Sequence, residues 1–460
     1  MKIKKLVYVL LGALLVASCS DTEFEGGKEG GGQSSVSPLV KVYADEKGEN
    51  LLAGDILIKE GASRTITLNV PIHLEKVYME YTTVSGAVKK AAFNLAPVTR
   101  SESYPADFAY ETTRAASVTL TLPEDAVVPT DEEDAGYLFY HSTGVAMFED
   151  GWPEESTWHD KDFNDVVFEY DFKVTECQDA EQMAKQGSKE ELLLTLDVRA
   201  LGGIYPTKLG VLLENLDKKY IDRVTAKLSL KGGQGMERKL NMKELSTDSK
   251  VIVDVPSWKW DSDDASVSRN AKLIIDTTPT EGTIITLDGL TSLDNDKNDG
   301  SKKVYFQTTK GAIREGLPML RAEVRLIGKE GLEGAEREAQ LKAYRDLILD
   351  TQRQNFFITA RGRETHMRGY NPTSAYKAGY AEIAASVSGN GNEAMNENIP
   401  YCNKNGFVWG IKVPAGSRHA YEEEPFEKAY PKFNDWAKSN GASNKDWYLN
   451  FDPELTVRYW

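Results

Sequence analysis

The stretch that decides the fold is DKDFNDVVFEYDF, residues 160–172. Its second half mostly alternates apolar and polar positions, and one face of the resulting strand would carry Val166, Phe168, Tyr170 and Phe172. A period of two is typical of a β-strand that turns one face toward a hydrophobic core. Its first half is rich in carboxylates. The stretch therefore predicts a core strand with an acidic loop at its start.

The same alternation recurs along the chain and predicts further strands. They are expected at residues 65–70, 118–122, 192–198, 225–230, 273–275, 284–287, 304–306, 322–326 and 356–360. Gly, Asp, Asn and Pro interrupt these segments, as expected for turns between antiparallel strands. Long helical patterns do not alternate with the strands, which argues against a parallel α/β sheet.

Two helices are predicted near the C-terminus. Residues 333–346 place apolar side chains at near-helical spacing, and residues 426–439 do the same, with Pro431 expected to bend or split the second helix. The predicted fold class is therefore mainly β: antiparallel β-sandwich domains of jelly-roll type, with one or two short helices near the C-terminus.

Composition limits the possible functions. The 460 residues include 40% hydrophobic and 27% charged residues, which is typical of a globular protein. The formal net charge is −16, the opposite of what binding to nucleic acid requires. An acidic surface suits solubility and the binding of cations. We therefore expect no nucleic-acid partner.

The N-terminus has the marks of an export signal. Lys2, Lys4 and Lys5 precede an apolar run over residues 6–16, which is short for a membrane span. Cys19 follows Val-Ala-Ser, a context that resembles the lipobox of bacterial lipoproteins. The resemblance implies that residues 1–18 are a signal peptide and that Cys19 becomes lipidated. An ordinary signal peptide with a chance cysteine is the alternative.

Residues 19–36 are rich in Gly and Ser and predict a flexible tether. Asp21, Glu23 and Glu25 resemble a surface-export signal of Gram-negative anaerobes, which implies an outer-membrane lipoprotein on the cell surface. Beyond the tether we expect an N-terminal β region at 37–130 and a larger β-rich region at 131–460. The larger region would contain an Asp-rich unit at 137–175 and a C-terminal β domain at 192–460.

The acidic loop is the strongest candidate for a metal site. Asp160, Asp162 and Asn164 are spaced by two, and Asp165 adds a fourth oxygen-bearing side chain. Calcium takes six to eight oxygen ligands, often from Asp and Asn at alternate loop positions. The match to an EF-hand is incomplete, because loop position six is not Gly and position twelve is not Glu. A turn in which Asp and Asn cap backbone amides is equally consistent with these residues.

Several motifs occur in a fixed order along the chain: one at residues 149–153, Asp-x-Asp-Phe-Asn-Asp at 160–165 and a block at 361–373, followed by segments at 411–414, 429–433 and 446–448. Together they resemble the LruC-type domain of envelope lipoproteins from Gram-negative bacteria. It implies a β-rich envelope protein of largely unassigned function. A related bacterial surface domain with a similar Asp-rich motif is suspected to bind calcium, which favours calcium at Asp160, Asp162, Asn164 and Asp165.

Other candidate sites are weaker. Residues 294–300 form a second acidic turn, which is either another ion site or an ordinary hairpin turn. Trp258 and Trp260 precede Asp261, Asp263 and Asp264, and this group suits sugar contact only if the tryptophans lie at the surface. Cys177 and Cys402 either form a disulfide or remain buried thiols.

Glu364 and His366 share one face of a predicted strand, where they suggest either an acid/base pair or a buried polar pair. We favour the polar pair, because no nucleophile, zinc or phosphate-loop motif accompanies them. The expected function is that of a non-enzymatic surface lipoprotein in adhesion, matrix contact or envelope structure, with a protein or glycan as ligand. The alternative is an outer-membrane component that binds or degrades glycans.

Overall fold

Strands dominate the computed structural model, and most of them pair in antiparallel fashion. The structure describes residues 39–48, 51–57, 65–71, 74–95, 115–127, 137–155, 160–177, 190–231, 240–246, 251–254, 272–290, 308–310, 319–415, 417–439, 443–444 and 446–457. All of these belong to one compact unit, Ser37–Trp460. Cys19, the tether, Trp258, Trp260, the aspartates at 261–264 and the turn at 294–300 lie outside the described residues.

The strands in chain order are β1 (Leu39–Tyr43), β2 (Leu51–Leu57), β3 (Thr65–Pro71), β4 (Lys76–Thr82), β5 (Val88–Asn94), β6 (Ala115–Thr121), β7 (Tyr137–Phe148), β8 (Val166–Cys177), β9 (Glu191–Ala200), β10 (Pro206–Glu214), β11 (Ile221–Lys231), β12 (Leu240–Ser246), β13 (Val251–Asp254), β14 (Lys272–Asp276), β15 (Gly282–Asp288), β16 (Met319–Gly328), β17 (Gln354–Ala360), β18 (Arg363–His366) and β19 (Gly410–Val413). The α-helices are α1 (Gly334–Leu349), α2 (Lys377–Ser386), α3 (Phe426–Ala429) and α4 (Phe433–Lys438).

The strands of the described residues form three sheets. A four-stranded sheet has the order β2-β1-β4-β5, and a six-stranded sheet has the order β13-β14-β15-β10-β17-β18. A nine-stranded sheet has the order β12-β11-β16-β9-β8-β7-β3-β6, with β19 also paired to β7. The predicted strand at 304–306 lies outside the described residues, and the other predicted strands each fall within an observed strand or overlap it.

The main core lies between the nine-stranded and six-stranded sheets. Val166, Phe168, Tyr170 and Phe172 of β8 are all buried, as the alternation predicts. The rings of Phe168, Tyr170 and Phe172 contact Phe356 of β17, with ring centroids 5.5, 4.6 and 6.0 Å from it. Each such side chain contributes about 1.5–3 kcal/mol on full burial. This packing of two sheets through β8 confirms the predicted fold class.

The opposite face of β8 is also covered. Val167 packs with Met147 of β7 and with aromatic side chains of the C-terminal segment, including Phe426, Trp436 and Trp447. The C-terminal segment therefore holds the outer face of the β7–β8 hairpin. This second core fixes the hairpin at its loop end.

Two helix predictions are confirmed and one helix was not predicted. The segment predicted at 333–346 forms α1, and the one at 426–439 forms α3 and α4, divided around Pro431. Helix α2 is absent from the sequence-based prediction. None of its residues is fully buried, so its apolar stripe is too weak to stand out in the sequence.

Strand β7 brings distant parts of the chain together. It pairs with β8 along its whole length, from Tyr137↔Cys177 to Phe148↔Val166. Its other edge pairs in parallel with β3 at Tyr140 and His141, and in antiparallel fashion with β19 from Val145 to Phe148. Of the two alternatives left open for the cysteines, the structure shows Cys402 as a buried free thiol.

Candidate metal centre

The site is built by the connection between β7 and β8. Because Phe148 is paired with Val166, the residues just after β7 lie beside those just before β8. Glu149 and Asp150 follow β7, and residues 160–165 lead into β8. The hairpin therefore brings the two acidic segments together at one end of the nine-stranded sheet.

The loop has an unusual backbone. Lys161 and Phe163 both adopt left-handed conformations, with φ of 59° and 56°. A bulky residue in this region is uncommon and costs of the order of 1–3 kcal/mol. Burial compensates at Phe163, whose ring packs edge-on against Phe426 and Phe433. The alternating conformations turn the side chains of Asp160 and Asp162 toward the same region as Glu149, since carboxylate oxygens of the three lie within 4.8 Å of one another.

Backbone amides fix two of these carboxylates. The Oε1 atom of Glu149 accepts a hydrogen bond from the amide of Phe163. Asp162 accepts one from Asn164 N at 3.1 Å and one from Glu423 N at 3.0 Å. Glu149 and Asp162 are fully buried, whereas Asp160 is half-buried. The site thus has two buried carboxylates, Glu149 and Asp162, and one that is partly exposed to solvent, Asp160.

The four predicted ligands make different contacts. Asp160 and Asp162 meet Glu149, whereas Asp165 accepts a hydrogen bond from Asp150 N at 2.7 Å and lies on the Asp150 side. Asn164 is buried and donates from its side-chain amide to Ala420 O at 3.3 Å. Its Oδ1 atom has no hydrogen-bond partner among the described residues.

Burial and mutual repulsion dominate the electrostatics of the site. Burial raises the pKa of Asp162 to about 10, and repulsion from Asp160 and Asp165 adds to the effect. The pKa of Glu149 is raised well above its usual range, first by burial and then by Asp165, Asp162 and Asp160. The pKa of Asp165 is raised by burial and by Asp150. A divalent cation would relieve the cost of ionising these groups together.

Sequence reasoning missed Glu149 as a member of this site. Glu149 lies eleven positions before Asp160, so the spacing within the loop does not reveal it. The usable signal was the apolar segment 137–148, which predicts a strand antiparallel to β8 and therefore places residue 149 beside residue 165. The donor set of three carboxylates fits a hard cation such as calcium, which prefers oxygen ligands.

Glu364 and His366 form a hydrogen-bonded pair on β18. His366 is fully buried, and its Nε2 and Nδ1 atoms lie 3.1 Å from Glu364 Oε2 and 2.6 Å from Asn355 Oδ1. Glu364 also accepts hydrogen bonds from Thr373 N at 3.1 Å and from Thr373 Oγ1 at 2.8 Å. Burial lowers the pKa of His366. The pair joins β17 and β18 to the segment that follows them.

Tryptophans in the described residues lie in the interior. Trp152, Trp409, Trp436 and Trp447 are all buried. Trp152 stacks on Tyr380 of α2 with ring centroids 5.5 Å apart, and its peptide bond to Pro153 is cis. These four side chains therefore serve packing. In the part of the chain that the structure describes, no helix is long and apolar enough to span a bilayer.

The chain is similar to a protein family and to a protein of known crystal structure. Residues 328–448 match the family described as "Domain of unknown function (DUF4842)". A crystal structure described as a "Putative lipoprotein from Bacteroides ovatus" is 57% identical, covers 92% of this chain and 100% of that chain, and superposes with a TM-score of 0.77. No curated protein matches the chain.

Proposed function

Because the chain belongs to the same family as this Bacteroides ovatus protein, we propose that it is a non-enzymatic lipoprotein of the outer membrane. Cys19 carries the lipid anchor, residues 1–18 are the signal peptide and residues 19–36 are the tether. Asp21, Glu23 and Glu25 support display on the cell surface. The β-sandwich body is an interaction module in adhesion, matrix contact or envelope structure, in line with the resemblance to LruC-type domains.

We propose further that calcium stabilises this body at the acidic loop. The observation that carries the proposal is the approach of the Glu149, Asp160 and Asp162 carboxylates to within 4.8 Å in a largely buried setting. Like charges so close and so buried are costly unless protonated or joined by a cation. Asp160 and Asp162 are the predicted ligands that support the proposal directly, and Glu149 joins them.

Asn164 and Asp165 are the two remaining proposed ligands. Calcium requires more oxygens than three carboxylates supply in monodentate form. The Oδ1 atom of Asn164, which has no hydrogen-bond partner among the described residues, and the carboxylate of Asp165, which adds to the repulsion at Glu149, support their inclusion. Water would complete the shell.

The test is a melting curve of the mature protein in excess calcium and in chelator. A ligand that binds only the folded state stabilises it by about 2.7 kcal/mol at a hundredfold excess over Kd. The melting temperature should therefore rise with calcium, and Asp162→Asn should remove most of that rise. Asp276→Asn is the matched control, because Asp276 caps Thr278 N at 3.0 Å much as Asp162 caps Asn164 N, yet it lies on β14 outside the acidic loop.

Two outcomes would contradict the calcium proposal. One is a melting temperature of metal-free protein that is insensitive to calcium. The other is an equal loss of the calcium effect in Asp162→Asn and Asp276→Asn, since that would place the ion elsewhere. In either case the loop would be a structural turn.

A further inference from the structure

The loop between β9 and β10, residues 201–205, lies directly on the acidic loop. Gly202 N donates to Asn164 O at 2.9 Å, and Gly203 N donates to Asp165 O at 3.2 Å. Tyr205 N donates to Asp150 Oδ2 at 3.2 Å. Three amides of this β9–β10 loop are thus held by the residues that surround the proposed ion.

The approach is so close that only glycine fits at two positions. A Cβ atom on Gly202 would lie 1.9 Å from Asn164 Oδ1. A Cβ atom on Gly203 would lie 2.6 Å from Asp150 Oδ2 and 2.7 Å from Asp165 Oδ1. The backbone of the β9–β10 loop is therefore packed directly against the side chains of Asn164, Asp150 and Asp165.

Ile204 and Tyr205, which follow Gly203, lie at the surface. Ile204 is 69% exposed and Tyr205 is 41% exposed, which makes them two of the largest exposed apolar side chains of the described residues. The guanidinium of Arg361, in the turn between β17 and β18, lies 3.6 Å from the centre of the Tyr205 ring. Residues 202–205 thus connect the acidic loop directly to the exposed Ile204–Tyr205 surface.

Hydrogen bonds link the two sides. The carbonyl oxygens of Asn164 and Asp165, two of the proposed ligands, accept the amides of Gly202 and Gly203, and Asp150 Oδ2 accepts the amide of Tyr205. An ion bound by the acidic loop would hold Asn164 and Asp165 in place, and its removal would free them to move. Movement of these acceptors would release the β9–β10 loop.

We infer that calcium binding sets the order of the β9–β10 loop, so that the exposed Ile204–Tyr205 surface is a calcium-dependent element of the protein. This inference rests on the proposed calcium site. The proposed function gives calcium only a role in stability, whereas this inference gives it control over one exposed surface as well. Reciprocity requires that disturbing the loop also weakens calcium binding.

Amide hydrogen exchange of the mature protein tests this inference, with calcium or with chelator. The amides of Gly202, Gly203 and Tyr205 should exchange at least about tenfold faster in chelator, because their acceptors move. The control peptide covers residues 83–88, which form the turn after β4 and the first residue of β5. It exposes Val84 and Val88 at 73% and 67% and has bonded amides at Thr83 and Gly86, yet it does not contact the acidic loop.

A variant pair tests the reciprocal effect. Gly203→Ala should weaken calcium affinity, as measured by calorimetric titration, whereas Gly389→Ala should leave it unchanged. Gly389 is a suitable control because a Cβ atom there would meet nothing within 4 Å. If Gly203→Ala fails to fold, the exchange measurement on the unmodified protein decides.

The possible outcomes separate the inference from the proposal on which it rests. Calcium that raises the melting temperature while exchange at residues 202–205 stays unchanged would overturn the inference and leave the calcium site intact. Equal acceleration in the control peptide would also overturn it, because the effect would then be global. No effect of calcium on any readout would overturn both.

Discussion

His419 is a buried histidine beside the acidic loop, and we predict that it makes the protein sensitive to mild acid. Burial lowers its pKa to about 3, with a further contribution from Arg199. In the unfolded chain this histidine takes up a proton near its ordinary pKa of about 6.5, whereas in the folded protein it stays neutral down to a pH of about 3. The free energy of unfolding is therefore unaffected well above pH 6.5 and decreases as the pH falls from there toward the pKa of the folded state. Between pH 7 and pH 5 the expected loss is about 2 kcal/mol.

Urea unfolding at pH 7 and pH 5 checks this prediction. His419→Gln has no imidazole to protonate, so the free energy of unfolding should fall less between the two pH values than in the unmodified protein, by about 2 kcal/mol. The acidic loop titrates in both proteins and cancels in the difference. An identical pH dependence in the two proteins would contradict the prediction.

Glu364 belongs to a saturated hydrogen-bond group, and we predict a structural role for it. Thr373 N, Thr373 Oγ1 and His366 Nε2 all lie within hydrogen-bond distance of its two carboxylate oxygens. Glu364→Gln places an amide donor against these donors and should lower stability by about 1–3 kcal/mol. Glu338→Gln, on the exposed side of α1, is the matched control and should change stability little.

The opposite pattern would overturn the non-enzymatic proposal. Purified protein should be incubated with glycan and peptide substrates before and after the substitution. Hydrolysis that is lost in Glu364→Gln at an unchanged melting temperature would assign Glu364 a catalytic role, because an active-site acid affects turnover more than stability.

Among the site residues, local spacing predicted some and missed others. Asp160 and Asp162 were predictable because carboxylates spaced by two in a loop fit calcium chemistry. Glu149 joins them only through the pairing of β7 with β8, which is tertiary information. Asp165 stays a predicted ligand; its carboxylate also accepts a hydrogen bond from Asp150 N, a contact that depends on the same strand pairing.

At the scale of elements, Gly144 on β7 allows β8 and β19 to approach. A Cβ atom there would lie 2.3 Å from Tyr170 Oη and 2.8 Å from Val413 O. Gly144→Ala should therefore destabilise the protein by about 1–3 kcal/mol through overpacking. Thermal unfolding checks this, with Gly389→Ala as control, and equal stability of the two variants would contradict the role given to Gly144.

Strand prediction succeeded where one face of a strand meets a core. The alternation in β8 is clear because every second side chain packs against the facing sheet. Helix α2 was missed because it lies on the surface with only partial burial of Tyr380 and its neighbours. The pairing of β3 with β7 was also not predictable, since a parallel contact between distant segments leaves no local pattern.

At the scale of the whole molecule, lipidation should decide where the protein resides. We expect Cys19→Ala to move the protein from the detergent phase to the aqueous phase in a partition assay, because the acyl chains supply the membrane affinity. Cys402→Ala is the matched control and should still partition with detergent, since Cys402 is a buried thiol. Unchanged partitioning of Cys19→Ala would reject the anchor.

One edge of β7 pairs with two different strands, β3 and β19, and this has a consequence for how the protein folds in the cell. The half of that edge at Val145–Phe148 is covered only when β19 docks, and β19 is the last strand of the described chain. A polypeptide emerging from the ribosome or a translocation channel therefore carries an open strand edge until its final segments follow, and open edges recruit other chains. We expect late, post-translocational folding, and we expect fragments ending before Gly410 to aggregate unless a chaperone holds them.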